Sequence, residues 1–450
     1  MWEKIVEITD FLWGVPLIIL LIGVGLYFTV GTKFFQVTRV KLIYQKTIGE
    51  MLKGTSHDHN DGQLSPIHVL FTVLAGTVGA GNIAGVATAI AVGGPGAVFW
   101  MWIIGICGMM TKMVEVTLSV AYRKKSETTG EYYGGPMYYI KSIKGIGKVL
   151  APLYAIALCI LVLTDACGIQ ANTLATTAYD VFRIPMIVSG VIMVGIAVVV
   201  IASGGVNKVG AFCAKFVPPM VLIYIVGAFI VIIANFDKVP GAFKMIFEYA
   251  FAPTPAVGGF VGATVSMAMA RGASRGIFSN EAGEGTAATV HATAKTDHPI
   301  HQGMYGILEV FIDTVVICTL TALIILTSGV WSNGNTGAPL TFDAFRSVMG
   351  TPGTVIISIA VILFTFSSYI GFYVEYRTCI EYLFGEKAIK YAKYLFFIIP
   401  FIAVSSEIES VWSLADIAVG FIVIPNVIAL LLLRHRFIEL FKEYMNINKK

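Results

Sequence analysis

Residues Ala75 to Gly85 read AGTVGAGNIAG, and residues Arg271 to Gly283 read RGASRGIFSNEAG; each interrupts an apolar stretch long enough to cross a membrane. Glycine weakens a helix by about 1 kcal/mol relative to alanine, and bare backbone polar groups in lipid cost several kcal/mol more unless something occupies them. The two interruptions therefore read as binding sites within broken helices.

The rest of the chain supplies the surroundings for such breaks. Of its 450 residues 56% are hydrophobic and 13% charged, too apolar for a soluble protein and typical of one embedded in a bilayer. A span needs about 20 apolar residues. Such runs fall at Leu12–Val30, Ser65–Val92, Ala97–Ala121, Val149–Thr173, Ile184–Ala202, Val206–Ala234, Gly258–Ala294 (broken), Gly303–Ser328, Gly353–Phe372, Tyr391–Val404 and Val411–Leu433. Eleven spans are expected, the short run Tyr391–Val404 being either a crossing or a re-entrant segment. With all eleven crossing, 25 of the 31 Lys and Arg lie on one side, which the positive-inside rule makes cytoplasmic. The N-terminus is then outside, the C-terminus cytoplasmic, and the protein a multi-pass component of the cell membrane. The acidic leading edge Glu3, Glu7 and Asp10 argues against a cleaved signal. All six cysteines lie in or at the ends of apolar spans without metal-type spacing and read as small core residues. The net charge of +4 follows from the cytoplasmic bias and gives no reason to invoke nucleic acid.

The broken spans are the second and the seventh, five apart. If the first helix is an addition, ten remain as two sets of five, each opening with a discontinuous helix. An odd number per set forces the second to run inverted, as in many secondary transporters. This divides the chain into an N-terminal helix and cytoplasmic loop (1–64), a first five-helix repeat (65–235), a second, inverted repeat (236–433) and a basic tail (434–450). The competing reading is that the glycines merely allow tight helix packing. The loop Gly130–Gly147, with Tyr132, Tyr133, Tyr138, Tyr139 and Ile140, is expected along the cytoplasmic interface.

Half-helix ends suit a zwitterion: freed N–H groups attract a carboxylate, and unwound carbonyls attract an ammonium or Na⁺. The first break offers Gly76, Gly79, Gly81 and Gly85 with Thr77 and Asn82; the second offers Gly272, Ala273, Ser274 and Gly276, with a half-helix expected to start near Ile277. Together they describe a site for a small amino acid and a cation. A dinucleotide fingerprint is excluded, since neither the preceding strand nor the later acidic residue is present.

Polar residues inside spans come next. Gln170 suits a substrate carboxylate or amine, or serves as packing glue. Glu309 and Asp313 share a helix face and form part of a cation path, or pair with Arg271 or Arg275. Lys112 and Glu115 are expected to form a local pair. Thr365, Ser367, Ser368 and Tyr369 cluster in the ninth span, where hydroxyls either complete a cation shell or bond back to the preceding turn. All seven histidines fall in or beside cytoplasmic segments, which argues against a midplane proton relay; the loop His57–Asp61 could bind a metal loosely or be solvated.

The runs GGPGAVFWMW (Gly93–Trp102), GGPMYYI (Gly134–Ile140) and RGIFSNEAG (Arg275–Gly283), in that order, resemble the signatures of the alanine or glycine:cation symporter family. The resemblance implies an all-α polytopic protein with the five-plus-five inverted repeat called the LeuT fold, an extra N-terminal helix, and Na⁺-coupled uptake of alanine or glycine without a cofactor. GAGN (Gly79–Asn82) is also similar to the GLGN segment of neurotransmitter:sodium symporters. That likeness implies that the N–H groups of Ala80 and Gly81 hold the carboxylate. One cation position would take the Thr77 carbonyl and Asn82 side chain; another would take the carbonyls of Ala75 and Val78 with the hydroxyls of Ser367 and Ser368, Thr365 being the alternative one turn away. Arg275 is expected at a cytoplasmic gate or on the carboxylate, and Phe278 or Tyr369 at the limit on substrate size. The rival readings are a proton-coupled symporter using Asp165, Glu309 and Asp313, and an ion channel, which would show a repeated pore filter. No nucleophile-base or zinc motif suggests an enzyme.

Overall fold

A chain in hydrocarbon must satisfy its backbone polar groups internally, and the apolar runs accordingly become helices. The computed structural model describes residues 15–53, 63–405 and 408–447. The acidic leading edge at Glu3–Asp10 and the loop His57–Asp61 lie outside the described residues.

The first apolar helix is α1 (Val15–Gly31), followed by the short helices α2 (Phe35–Thr38), α3 (Val40–Lys46) and α4 (Ile48–Lys53). The first broken span is α5 (Pro66–Thr77), a wide π-type turn Gly81–Gly85 and α6 (Val86–Gly93), bent by 49° at the break. Next come α7 (Ala97–Ala121), a hairpin of β1 (Lys124–Lys125) and β2 (Tyr132–Tyr133), α8 (Pro136–Lys141), and α9 (Gly147–Thr164), which runs through a π turn Asp165–Gln170 into α10 (Ala171–Phe182). Then follow α11 (Met186–Ala202), α12 (Gly205–Ala234) and α13 (Val239–Tyr249). The second half holds α14 (Val265–Asn280), α15 (Thr286–His291), α16 (Pro299–Val310), a π turn Phe311–Cys318 and α17 (Thr319–Ser328). It ends with α18 (Gly337–Gly371), α19 (Tyr373–Phe384), α20 (Glu386–Ala403), α21 (Ile408–Leu432) and the amphipathic α22 (Arg434–Ile447). α18 is two helices joined at Gly350, whose φ of 60° interrupts the helical geometry.

Among the described residues six helices are long and apolar enough to cross a membrane, seven with the bent pair counted as one span, and α1 and α11 are shorter apolar helices. The run Tyr391–Val404 belongs to the unbroken α20 and does not fold back. The tyrosine-rich loop departs from expectation. Tyr133, Tyr139 and Ile140 are fully buried rather than spread along an interface. They are drawn in because Arg377 of α19 pairs with Glu131 and bonds the Tyr133 hydroxyl at 2.6 Å, while the Tyr139 hydroxyl bonds Asn426 of α21.

Proline and a capping side chain start the helices that enter from this face. Ser65 accepts from the His68 N–H ahead of α5, and His298 accepts from the Ile300 N–H ahead of α16. The two entry loops join through a parallel bridge between Leu64 and Ala294, which fixes α5 and α16 relative to each other.

Candidate functional site

The first break is built from two freed N–H groups and the side chains that take them. Gly79 N–H donates to Asn82 Oδ1 at 3.0 Å, and Ala80 N–H donates to Gln170 Oε1 at 3.3 Å. Gln170 is oriented in turn, its Nε2 donating to Asp165 Oδ1 at 2.8 Å across the π turn. Glycine at 79 is required by the approach of α18: a Cβ there would lie 2.5 Å from Ser368 Oγ and 3.2 Å from Gln170 Oε1. The fourth, ninth and second expected spans thus meet at one backbone atom. The last turn of α5 leaves its carbonyls without intrahelical partners, and Ala75 and Val78 there are fully buried. The Asn82 and Ile83 carbonyls accept from the Thr321 and Thr341 hydroxyls at 2.8 and 3.2 Å.

Asn82 also reaches the second half of the chain. Its Nδ2 donates to Asp313 Oδ1 at 2.6 Å and to Ser279 Oγ at 3.0 Å. Ser279 and Thr314 donate to the Asp313 carboxylate at 2.9 Å. Asp313 is fully buried, and among the described residues no basic side chain pairs with it. A carboxylate fed only by neutral donors, next to unwound backbone, can hold a cation or a proton.

The second break is displaced from its expected position. Gly272, Ala273, Ser274 and Gly276 are helical within α14, and no half-helix starts at Ile277. The two glycines serve close packing instead: a Cβ at Gly272 would fall 2.1 Å from the Ala97 carbonyl oxygen and one at Gly276 3.2 Å from Met101 Cγ, both on α7. The helix ends where Glu281 turns left-handed at φ 55°, and α15 resumes after Gly285 at φ 78°. This break is held tightly. Gly283 N–H donates to Glu115 Oε1 at 2.9 Å, its carbonyl accepts from Asn426 Nδ2 at 2.8 Å, and the Tyr154 hydroxyl donates to the Glu284 carbonyl at 2.6 Å.

Arg275 stands within α14, six residues before Glu281, and its Cδ lies 3.9 Å from where a Cβ on Gly85 would be. Its Nη2 lies 3.5 Å from Asp416 Oδ2, its guanidinium 4.9 Å from the Trp412 ring, and Trp412 packs on Phe278 at 4.8 Å. Phe278 also borders the first break, 3.4 Å from where a Cβ on Gly81 would be. Arg271 and Arg275 are both helical within α14 and so do not belong to a loop between spans.

The remaining candidates sort clearly. Ser367 and Ser368 both donate to the Phe364 carbonyl at 2.8 and 3.0 Å, and Thr365 donates to Val361, so the hydroxyls bond back to their own helix while keeping oxygen lone pairs. Ser368 is the one at the break, while the Thr365 hydroxyl stays on the Val361 and Ile362 carbonyls of its own helix. The Thr77 hydroxyl bonds back to the Val73 carbonyl at 3.2 Å. Tyr369 lies away from Gly79, its hydroxyl on the Phe396 carbonyl at 3.1 Å. Lys112 pairs not with Glu115 but with Glu309, at 3.2 Å. Glu309 further contacts His291 Nε2 at 3.0 Å, so this histidine is buried inside the bundle and neither Arg271 nor Arg275 serves Glu309. Ser279, Trp412, Asp416 and Asn426 were not foreseen; Asp416 and Asn426 are polar residues within the apolar run Val411–Leu433, the signal that singled out Asp165. At the edge of the bundle, burial raises the Glu50 carboxyl, but His301 at 3.0 Å and Lys46 at 3.3 Å outweigh it and hold the pKa near 2.

Comparison with known proteins completes the description. The profile of the Sodium:alanine symporter family matches residues 1–450. The chain is 39% identical to an uncharacterized transporter of Bacillus subtilis, over 97% of this chain and 92% of that protein. It is 33% identical to a sodium/alanine symporter of Methanococcus maripaludis, over 98% of this chain and 97% of that one. A probable sodium/glutamine symporter of Bacillus subtilis is 36% identical over 98% of this chain and 90% of its own length.

Proposed function

Because the chain belongs to the sodium:alanine symporter family, we propose that it imports alanine or glycine across the cell membrane with Na⁺, by alternating access around its two broken helices. The family is one of transporters, and its members' names and the apolar helices make this a multi-pass membrane protein engaged in sodium-coupled amino-acid symport. The finer reading is ours: eleven spans in a five-plus-five inverted repeat preceded by one helix, the N-terminus outside and the C-terminus in the cytoplasm.

The observation that carries it is the meeting of Gly79–Ala80, Gln170 and Ser368 at the first break. A substrate carboxylate would take the Ala80 and Gly81 N–H groups, replacing Gln170 Oε1, which now fills the acceptor role. The Gln170 amide would turn toward the amino acid. Na⁺ would sit against the carbonyls of Ala75 and Val78 with Ser367 and Ser368, and a second cation position would use the Thr77 carbonyl and Asn82. Gly272, Ala273, Ser274 and Gly276 frame the site as packing residues on α14. Phe278 and Arg275, with Trp412 and Asp416, would form the outer gate, and Glu115 and Asn426 on Gly283 the inner one. Ions and substrate each order the same unwound segment, so each raises the other's affinity, a coupling typically worth about 1–3 kcal/mol.

A second reading has a specific observation behind it. Asp313, buried among Asn82, Ser279 and Thr314, can carry a proton as readily as neighbour a cation, which would make the symport proton-coupled. Radiolabelled alanine uptake into proteoliposomes decides, with Na⁺ and pH gradients imposed separately and excess glycine, leucine, glutamine or D-alanine as competitors. Accumulation driven by inward Na⁺ alone and blocked by glycine supports the first reading. Uptake following only the proton gradient supports the second, and competition by glutamine but not glycine refutes the small-substrate assignment.

A further inference from the structure

A groove of about 540 Å³ lies between the α2–α3 segment and the flank of α7 and α16, apart from the site around Gly79. Its wall includes Val40, Ile43, Trp102, Ile106, Leu308 and Phe311. Ile106 and Phe311 remain over 40% exposed, so the groove opens where the bilayer would stand. The polar groups along it are mostly spent inside the protein. Trp102 Nε1 donates to Thr319 Oγ1 at 2.8 Å, the Thr47 hydroxyl bonds back to Ile43, and Gln36 Nε2 donates to Thr29. The Gln36 Oε1 is left buried without a partner.

The floor is set by an uncommon turn. Lys33 and Phe34 both adopt left-handed φ near 56–57°, which swings α2 and α3 away from the axis of α1 and under the groove. Lys33, Arg39 and Lys41 are exposed on this segment, and among the described residues none forms an ion pair. Arg39 and Lys41 flank the wall residue Val40 in sequence, and Lys33 lies three residues before the wall residue Gln36. Val40 and Tyr44 present apolar surface of 57% and 49% exposure beside these cations.

We propose that this groove holds one acyl chain of an anionic phospholipid, with its headgroup against Lys33, Arg39 and Lys41. The apolar lining and lateral opening fit a hydrocarbon chain, and three exposed cations on the segment that supplies Gln36, Val37 and Val40 to the lining fit a phosphate of the anionic leaflet. A headgroup hydroxyl or amine gives the Gln36 Oε1 a donor. The assignment rests on the membrane placement given above and is independent of which amino acid is carried.

Native mass spectrometry of the full-length detergent-purified protein, titrated with phosphatidylglycerol and with phosphatidylcholine, tests it. One phosphatidylglycerol should be retained by the wild type in preference to phosphatidylcholine. The triple change Lys33→Gln, Arg39→Gln, Lys41→Gln should weaken that retention by roughly 10- to 100-fold, the scale of three basic residues at an anionic surface. Val315→Phe, which fills the groove from a half-buried position, should abolish it. In vesicles, phosphatidylglycerol with dibrominated acyl chains should quench Trp102 in the wild type and less in Val315→Phe, with Trp102→Phe identifying that signal. Equal retention of both lipids, unmoved by either variant, would overturn the proposal. So would a dimer lost in Val315→Phe, which would make a second copy the occupant. Neither readout needs Na⁺ or alanine, so failure here leaves the transport reading untouched.

Discussion

Gly79→Ala is the substitution that most directly tests how the first break is held. The new methyl would sit 2.5 Å from Ser368 Oγ, where non-bonded heavy atoms ordinarily keep about 3.5 Å. Ser368 has little room to yield, being buried with its hydroxyl on the Phe364 carbonyl at 3.0 Å. On the other side Gln170 Oε1, at 3.2 Å from the new carbon, is held by Asp165 and must give by a few tenths of an ångström. Overpacking of this kind costs about 1–3 kcal/mol. If the compact arrangement lies on the transport path, Na⁺-driven alanine uptake in proteoliposomes should fall roughly 5- to 140-fold, at 1.4 kcal/mol per factor of ten. The mechanism is tested by a double-mutant cycle. Ser368→Ala removes the clashing oxygen, so the pair Gly79→Ala, Ser368→Ala should recover most of the thermal stability lost by the first change, a coupling of about 1–3 kcal/mol. Uptake should not recover in parallel, because the proposed Na⁺ ligand is gone, and the Na⁺ concentration for half-maximal uptake should stay raised. Additive stability effects, or a Gly79→Ala protein with wild-type uptake and melting, would refute the contact between α18 and the break.

Three further outcomes follow from named contacts. Lys112→Met should destabilise the protein by about 3–5 kcal/mol, because Glu309 would be left buried without its cation, and adding Glu309→Gln should restore much of the melting temperature. Asn82→Ala should cost about 1–3 kcal/mol by orphaning the Gly79 N–H and removing one of the donors to Asp313, and it should weaken Na⁺ dependence more than alanine dependence if Asn82 lines a cation position. Glu50 has a folded pKa near 2 against an ordinary value of 4.5, so its contribution is present above pH 4.5 and is lost as pH falls from there toward 2. The stability gap between wild type and Glu50→Gln should therefore be largest near neutrality and close below pH 4.5; a gap that widens on acidification would contradict the ion pairs with His301 and Lys46.

The sequence carried the first break well and the second poorly, for one physical reason. At Ala75–Gly85 glycine density coincides with actual unwinding, because Gly79 has to admit both Ser368 and Gln170. At Gly272 and Gly276 glycine density instead marks a helix pressed against α7, while the unwinding begins at Glu281, a residue whose type gives no hint of a left-handed φ. Small residues serve both purposes, and spacing alone does not separate them. The charged residues show a similar limit. Lys112 and Glu115, three apart, suggested a local pair, but α16 brings Glu309 to the lysine and the second break brings the Gly283 N–H to the glutamate. Which partner wins depends on how helices far apart in sequence pack. The tyrosines of Gly130–Gly147 were legible as interfacial by composition, yet Arg377, some 240 residues later, supplies the partner that buries them.

The placement of α14 gives the two proposed gates a mechanical connection. Arg275, held by Asp416 and Trp412, and Ser279, held by Asp313 and Asn82, are four residues apart, about 6 Å along one helix face. Two residues beyond Ser279 the helix ends, and the next turn is fixed by Glu115 and Asn426 through Gly283. A packed helix moves as a unit, so a shift that parts Arg275 from Asp416 also draws Ser279 from the Asp313 carboxylate unless the helix bends. The helix is interrupted after Asn280, not between Arg275 and Ser279. Opening at the Arg275 end would then disturb the cation-side network at Asn82 while the Gly283 clamp stays closed, and release of that clamp would leave the Arg275 contact in place. Such an order would serve the alternating access proposed above, and it would follow from the unwound segment coming after α14 instead of dividing it.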